Sequence, residues 1–232
     1  DCTFTYNISY SNNDPTDPWG GQAGIKIGDS GTRSNVLNIV VDYNRTYQNE
    51  DSGIDLRGAR RVVVRRNVSY DNGDHGYDNN QVAESAFFNN VAAGNDHDGI
   101  SIESNADSVL VYNCIFAYNA LDATTLDTDE NVAEIWVGDT SKVILSDNNI
   151  LIAQCPHGGV WPSTPLRERH LVQWGVSEHD TLPNHQSGSE VDLSSVTADP
   201  QFVSLAGANF LISSLSSAAM EKSKTNMTAW SG

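Results

Sequence analysis

The sequence has few basic residues and few cysteines, and both shortages exclude classes of partner and fold. Its 232 residues carry 13 lysines and arginines against 30 aspartates and glutamates, for a formal net charge of −17. A surface of that sign repels the phosphates of nucleic acids and anionic membranes, so neither is an expected partner. The three cysteines, Cys2, Cys114 and Cys155, include no CxxC motif and are too few for a disulfide framework.

Long apolar runs are also missing. No run reaches the roughly 18 residues that a membrane-spanning helix needs, and no segment has a helical period. The chain opens on DCTFTYNISYSNND, which already has the character of the later repeats. We expect either that the first residues have been removed, as in a processed secreted protein, or that this is a fragment of a longer protein. We expect a partner chain or a further domain to cover the strand edges of the first coil, because exposed edges invite pairing.

What the sequence does contain is a repeat of 23 residues. Asparagines and glycines both recur at that step; they are Asn44, Asn67, Asn90 and Asn113, and Gly53, Gly76 and Gly99. A fixed period in this range is typical of proteins built from stacked coils. Inward asparagines at one corner of successive coils can hydrogen-bond to one another and to the turn backbone. We therefore interpret the asparagine row as a structural ladder.

Each repeat contains three short strand-like segments. One follows a glycine, as in GIDL at 53; one is an apolar run, as in RVVVRR at 61; one follows the ladder asparagine, as in NVSY at 67. Asn, Asp and Gly between them favour sharp turns. Three strands per coil at this length predict an all-β fold, a right-handed parallel β-helix with coils stacked about 4.8 Å apart.

The repeat is interrupted, and we expect a single β-helix domain over the whole chain with loops inserted into it. Regular coils are predicted over 1–155, with insertions at 13–35 and 120–133, where turn residues accumulate. The segment 156–196 has no repeat and is predicted to be a long excursion over the flank of the helix. The segment 197–232 is predicted to form the last coil and a C-terminal cap.

Alignment of the repeats on their glycines places charged and histidine side chains on one face. Two rows lie at the corner before the glycine-led strand. Two more rows point outward from that strand, because side chains alternate along it. Within about four coils, or roughly 15 Å, this face collects Lys26, Asp51, Asp55, Arg57, Asp74, His75, Asp78, Asn80, His97, Asp98 and Glu103.

Carboxylates stacked one coil apart repel one another, and a bound cation relieves that repulsion. Hard oxygen ligands favour calcium. We expect a calcium ion among four aspartates of this face, which are Asp51, Asp74, Asp78 and Asp98. The alternative is that these aspartates are ordinary turn residues with a structural role.

The same face has the groups that β-elimination in a uronate polymer requires. Calcium or Arg57 would neutralise the substrate carboxylate and acidify the C5 proton, and Lys26 or His75 would remove that proton. His97 would protonate the leaving oxygen. The side chains expected to bind the sugars are Asp55, Asn80 and Glu103. Two of the carboxylates could instead serve as acid and base in glycoside hydrolysis.

The repeat pattern, the NGDHG turn and the closing ADPQFV…GANFLISSLSSA resemble secreted right-handed β-helix proteins of the pectate-lyase-like superfamily. The resemblance covers nearly the whole chain and implies the fold and secretion. It implies no single activity, since lyases, hydrolases, epimerases and adhesins share the superfamily. EDSGIDL at 50–56 and GDHGYDN at 73–79 are also similar to the calcium-binding turn of polysaccharide lyase family 9. That family has a lysine base on a later coil. In this chain the next coil has Ser101 and Glu103 and the one after it has Glu134 and Trp136, with no lysine.

These observations predict a secreted carbohydrate-active protein, in our first interpretation a lyase that cleaves an acidic polysaccharide with the help of calcium. A non-catalytic glycan-binding or structural β-helix is one alternative, and a hydrolase or epimerase on the same scaffold is another. Aromatic and basic residues of the excursion form a second candidate region without regular zinc spacing; they are His157, Trp161, Arg167, Arg169, His170, Trp174, His179 and His185.

Four N-glycosylation sequons occur in the chain. Those at Asn7, Asn44 and Asn67 begin on ladder positions, where the side chain is expected to point inward. The expected acceptor is therefore Asn226.

Overall fold

The computed structural model describes residues 1–14, 21–28, 36–120, 133–152, 170–189, 191–204 and 207–212. These residues form six coils of three strands each. In chain order the strands are β1 (Cys2–Thr5), β2 (Ile8–Tyr10) and β3 (Ile25–Gly28); β4 (Leu37–Asp42), β5 (Arg45–Tyr47) and β6 (Ile54–Arg57); β7 (Arg60–Arg65), β8 (Val68–Tyr70) and β9 (Tyr77–Asn80); β10 (Ala83–Phe88), β11 (Val91–Ala93) and β12 (Ile100–Glu103); β13 (Val109–Tyr112), β14 (Ile115–Ala117) and β15 (Ala133–Val137); β16 (Val143–Asp147), β17 (Ile150–Ile152) and β18 (His170–Trp174). They are followed by β19 (Ser177–His179), the helix α1 (Leu182–Ser189), β20 (Phe202–Ser204) and β21 (Asn209–Ile212).

The first strands of the coils form one parallel sheet, the second strands form another, and the third strands form a third. The register follows the sequence period, since Ile54 pairs with Tyr77 and Tyr77 pairs with Ile100. The core lies between the three sheets and is built from inward rows such as this one. The parallel β-helix predicted from the 23-residue period is confirmed.

The asparagine ladder is also present, and it has a companion. Asn44 Nδ2 donates to Asn67 Oδ1 at 3.0 Å, and Asn67 Nδ2 donates to Asn90 Oδ1 at 3.1 Å. These amides are buried, which agrees with the expectation that the sequons at Asn44 and Asn67 are inaccessible. Asn7 is exposed at the start of the ladder, where it donates to Asn44. A second ladder with bonds of 2.8 Å at the next corner runs through Asn12, Asn49, Asn72, Asn95 and Asn119.

Asn113 is not a member of the first ladder, contrary to the sequence-based prediction. Ser104 and Asn105 both have left-handed backbone, with φ of 56° and 66°, and the corner that they form holds one extra residue. The pairing step grows from 23 to 24 residues, so Asn90 is followed by Cys114. Cys114 is buried, and its backbone N–H donates to Asn149 Oδ1 at 2.9 Å, which connects the ladder to the next coil.

Both ladders end on a buried carboxylate. Asn119 Nδ2 donates to Glu134 Oε2 at 2.5 Å, and Asn149 Nδ2 donates to Asp192 Oδ1 at 3.0 Å. The last amide of each row therefore donates to a carboxyl group of a later coil. Hydrogen bonds to a charged acceptor are about twice as strong as neutral ones, so Asp192, whose pKa is lowered, anchors the end of its row.

Asp192 makes the stability of the fold dependent on pH. Burial opposes its ionisation, but hydrogen bonds from His185, Ser195 and Asn149 hold the pKa of Asp192 below its ordinary value of 3.8. Such a carboxyl stabilises the fold above its unfolded pKa, and the stabilisation is lost as pH falls below about 3.8.

We expect Asp192→Asn to lower the free energy of unfolding by about 2 kcal/mol at neutral pH. The difference from the parent should shrink below about pH 3.8 in urea titrations, whereas exposed Asp139→Asn should change little.

The glycine repeat has a steric cause. These glycines lie at the corner before each third strand, where the next coil approaches closely. A Cβ added to Gly76 would lie 2.7 Å from the carbonyl oxygen of Gly99 and 2.8 Å from Ala92 Cβ. A Cβ on Gly99 would lie 2.7 Å from the carbonyl oxygen of Glu134. Real Cβ atoms do not approach backbone oxygen so closely, so a side chain cannot be accommodated at these corners without movement.

The segment 156–196, predicted to be a long excursion over the flank of the helix, contains a strand of the sixth coil. Within that segment β18 pairs in parallel with β15 and completes the sixth coil, and α1 packs near it. In the segment predicted as the last coil, β20 and β21 form an antiparallel hairpin. Most of the two predicted insertions, together with Cys155 and Asn226, lies outside the described residues.

None of the described helices is long and apolar enough to cross a membrane. The first coil exposes large apolar side chains, which are Tyr6, Ile8 and Tyr10. Cover for that coil by a partner chain or another domain stays a prediction.

Candidate active site

The strand register fixes the rows of the predicted face. Lys26, Asp55, Asp78 and Ser101 lie side by side on β3, β6, β9 and β12. They point away from the core because they alternate with the inward row. Asp55, Asp78 and Ser101 are nevertheless buried, with exposed fractions of 0%, 2% and 0%. Asp55, expected from the sequence to bind sugar, is thus enclosed instead of lying on an open surface.

Two basic side chains lie over the buried carboxylates. Lys26 Nζ is 3.2 Å from Asp55 Oδ2, and Arg57 Nε donates to Asp55 at 2.8 Å. The Arg57 side chain also reaches Asp78 Oδ2 at 3.5 Å. The side chains of Lys26 and Arg57 are 41% and 27% exposed, so positive charge faces solvent above Asp55.

Asp78 is less well satisfied than Asp55. Its Oδ1 atom has no hydrogen-bond partner among the described residues, and the same is true of Ser101 Oγ on the next coil. Burial raises the pKa of Asp78 well above its ordinary range, although the nearby His75 charge opposes the shift. Further along these strands Asn80 Nδ2 donates to Glu103 Oε1 at 3.2 Å, and both side chains are partly exposed.

Asp74 is the centre of the corner cluster. Its Oδ1 atom lies 2.8 Å from His97 Nδ1 and 3.3 Å from His75 Nε2, while Ser52 Oγ donates to Oδ2 at 3.0 Å. Burial opposes ionisation of Asp74, but the charge of His75 and the hydrogen bond from His97 hold its pKa well below the ordinary value. One carboxylate therefore orients two imidazole rings from successive coils.

His75 lies between two carboxylates. Its Nδ1 atom is 3.2 Å from Asp98 Oδ2, on the opposite side of the ring from Asp74. Burial disfavours the charged ring, but Asp74 and Asp98 raise the pKa of His75 well above its ordinary value. Asp98 is fixed in turn, because the backbone N–H of Ala133 donates to its Oδ1 at 2.8 Å. The backbone N–H of Asp98 also approaches His75 Nδ1, at 3.3 Å, so each ring nitrogen already has a protein partner. The role of His75 as a base stays a prediction.

Asp51 lies one coil before Asp74. Burial and a hydrogen bond shared with Asp74 raise the pKa of Asp51. The shift is opposite in direction to that of Asp74, so Asp51 is the member of this carboxyl pair that takes up a proton first as the pH falls.

Calcium among the four aspartates stays a prediction, but the structure gathers a different set of possible ligands. Among the described residues, Asp74, His75 and His97 each place one ligand atom within 4.8 Å of the others. Asp78 faces Arg57, and Asp98 faces His75, so protein groups already balance two of the four carboxylates. Calcium takes about six to eight oxygen ligands, and two of the three gathered atoms are imidazole nitrogens. This set does not suit calcium.

The sequence analysis did not name Ser52 as a site residue, although Ser52 lies in one of the two corner rows and donates a hydrogen bond to Asp74. Ser52, His75 and Asp98 occupy the same corner position in successive coils, so the hydroxyl lies where it can donate to Asp74.

Of the second candidate region, the residues at 157, 161, 167 and 169 lie outside the described part. His170 contacts Asp180 at 2.7 Å and Glu178 at 3.5 Å. His185 packs against Trp174 and His179.

Comparison with known proteins bears on the fold. A family model described as a right handed beta helix region matches residues 1–155. One similar solved structure is the A-module of a mannuronan C-5 epimerase from Azotobacter vinelandii, at 16% identity and a TM-score of 0.36, over 50% of this chain and 35% of that chain. No curated protein matches the sequence. Because the family model spans more than half of the 232 residues, the chain belongs to the right-handed β-helix family.

Proposed function

We propose that the chain acts on an acidic, uronate-containing polysaccharide by removing the C5 proton of a uronate, and that β-elimination follows. The observation that carries this proposal is the Asp74–His97 pair on the same face as Lys26 and Arg57. A base held by a carboxylate and a cationic surface for the substrate charge are the two requirements of this chemistry.

His97 is the proposed base. Asp74 Oδ1 accepts the Nδ1–H hydrogen of the ring at 2.8 Å, which makes Nε2 the basic nitrogen and holds the ring in one orientation. The side chain of His97 is 18% exposed, so a substrate can approach its edge. His75 acts as a positioning residue, because it contacts Asp74 from one side and Asp98 from the other. The sequence predicted His75 as a candidate base and His97 as the acid, whereas this assignment gives both steps to His97.

The elimination balances with His97 alone. Nε2 takes the proton from C5, the C5–H electrons form the C4–C5 double bond, and the C4–O bond breaks. The imidazolium then returns its proton to the leaving oxygen. An ionised uronate carboxylate disfavours loss of the C5 proton, so a nearby cation lowers the barrier by stabilising the developing charge.

Lys26 and Arg57 supply positive charge along the polymer. Lys26 lies on the first coil and His97 before the third strand of the fourth coil, which is about 14 Å at the interstrand spacing. That distance is longer than one sugar unit, so Lys26 is suited to a neighbouring uronate. Arg57 reaches the third coil and lies closer to the reacting sugar.

Glycoside hydrolysis is less well supported by the carboxylate spacing. Retaining and inverting enzymes hold two carboxyl groups about 5–5.5 Å or about 6.5–9.5 Å apart. Asp51 and Asp74 are in hydrogen-bond contact, which is too close for either. Asp55 and Asp78 are one coil apart but buried. Epimerisation shares the proton-abstraction step and differs only in the fate of the carbanion.

The test is a screen of the full chain against pectate, alginate, hyaluronan and chondroitin, in the presence of a chelator and with added calcium. We expect ultraviolet absorption from the C4–C5 double bond with at least one polymer. Inversion at C5 with deuterium uptake from heavy water, but without unsaturation, would identify an epimerase. Polymer binding without either change would favour the non-catalytic alternative and contradict the proposal. Calcium dependence and secretion stay predictions, and the calcium arm tests the first.

A further inference from the structure

We propose that Asp74, His75 and His97 also bind a divalent transition metal ion of the zinc type, and that the bound ion blocks proton abstraction. The binding site rests on geometry alone. Only the blocking effect rests on the proposed function.

The separations of the three ligand atoms are close to those of a metal site. Bonds of about 2.0–2.1 Å to a tetrahedral zinc ion place neighbouring ligand atoms about 3.3 Å apart. Asp74 Oδ1 lies 3.3 Å from His75 Nε2 and 2.8 Å from His97 Nδ1. All three atoms lie within 4.8 Å of one another.

The surroundings of His75 provide a second and independent observation. Histidines that bind a metal through one nitrogen commonly donate the other N–H to a carboxylate. His75 Nδ1 lies 3.2 Å from Asp98 Oδ2, a buried oxygen that has no hydrogen-bond partner among the described residues and can accept an N–H from the ring. In the structure Nδ1 is also approached by the Asp98 backbone N–H at 3.3 Å, and the Ala133 N–H donates to the other oxygen of Asp98 at 2.8 Å. Ser52 Oγ orients the second oxygen of Asp74 in the same manner. The outer partners of a metal site are thus already in place.

The ligand chemistry selects the class of ion. Two imidazole nitrogens and one carboxylate suit zinc and related transition metals, whereas calcium and magnesium prefer oxygen ligands. Three protein ligands leave the fourth position of a tetrahedral ion open to water.

A metal on His97 Nδ1 would occupy the place of the proton that Asp74 accepts. The ring is then neutral only with its remaining hydrogen on Nε2. That nitrogen no longer has a lone pair for the C5 proton. The same cluster therefore holds either a catalytic imidazole or a metal, and zinc is expected to inhibit.

Metal-stripped full chain should be titrated with zinc chloride by calorimetry, and cobalt(II) should be added separately to record the visible absorption of a tetrahedral site. We expect one zinc per chain and a tetrahedral cobalt spectrum. His97→Gln should weaken zinc binding by about 100-fold or more, and Asp98→Asn by about 10-fold, as outer-partner changes do. His170→Gln is the matched control, since His170 also contacts two carboxylates but lies outside the cluster.

Absence of stoichiometric binding, or equal affinity in the His97→Gln and parent proteins, would overturn the site. Loss of binding in His170→Gln with retention in His97→Gln would also overturn it by moving the metal elsewhere. Urea unfolding of each variant establishes that it is folded. Binding without inhibition would overturn the blocking effect alone, and inactivity on every polysaccharide would count against the proposed function while the binding result stands.

Discussion

Replacement of His97 by glutamine is expected to lower the rate of uronate-polymer cleavage by about 100-fold to 10,000-fold, the usual contribution of a positioned general base. Glutamine retains a hydrogen-bond donor for Asp74 but cannot accept the C5 proton. The loss should appear in kcat more than in KM, because the base acts on the reacting atom and not in ground-state binding. Initial rates of double-bond formation with the chelator present measure the effect.

His170→Gln serves again as the control and should retain the parent rate. Asp74→Asn should give a smaller but still large loss, because the amide no longer holds His97 in its reactive tautomer. A folded His97→Gln protein with parental activity would remove this residue from the mechanism. Under that outcome Lys26, the other base suggested by the sequence, would be the next residue to substitute.

Gly76→Ala is expected to be strongly destabilising, although it adds only one methyl group. The new Cβ would lie 2.7 Å from the carbonyl oxygen of Gly99 and 2.8 Å from Ala92 Cβ, and neither of these atoms belongs to the flexible end of a side chain. Relief requires the coils to separate locally. Overpacking of this kind costs about 3 kcal/mol. The urea midpoint at neutral pH should fall accordingly, with the slope unchanged.

Gly138→Ala is the matched control, since a Cβ there would have its nearest neighbour at 3.6 Å, Glu103 Cα. With ordinary contacts and no positive φ recorded, alanine is tolerated, and we expect a change of less than about 1 kcal/mol. Equal destabilisation by the two substitutions would show that close approach between coils is not the reason for the glycine period.

The fold could be predicted because a period of 23 residues sets the strand register directly. Every row derived from Gly53, Gly76 and Gly99 lies in register in the structure. The prediction was wrong at Asn113 because Ser104 and Asn105 add one residue at a corner, and that change leaves the strand pattern intact. The sequence after the corner does not show whether the ladder position falls on Asn113 or on Cys114.

The site could be predicted only as a set of neighbours. Row alignment placed Asp74, His75 and His97 together, and they are together. It did not give the environment of each side chain. Asp78 and Asp55 are buried, and His75 has a carboxylate on both sides; these features set protonation and hence role. They depend on side-chain direction and on contacts with other coils, which a period does not encode.

The two asparagine ladders also bear on how such a chain can grow. The amides of Asn67 and Asn72 each accept from the coil before them and donate to the coil after them, so the middle coil 67–89 has matching ends. Duplication of that 23-residue unit would leave no amide of either ladder unpaired. The carboxylates Glu134 and Asp192 accept but cannot donate in turn, so they act as stops. Evolution or design can therefore lengthen this helix from its middle, and each added copy of 67–89 would bring another Asp74–His75 pair to the same face.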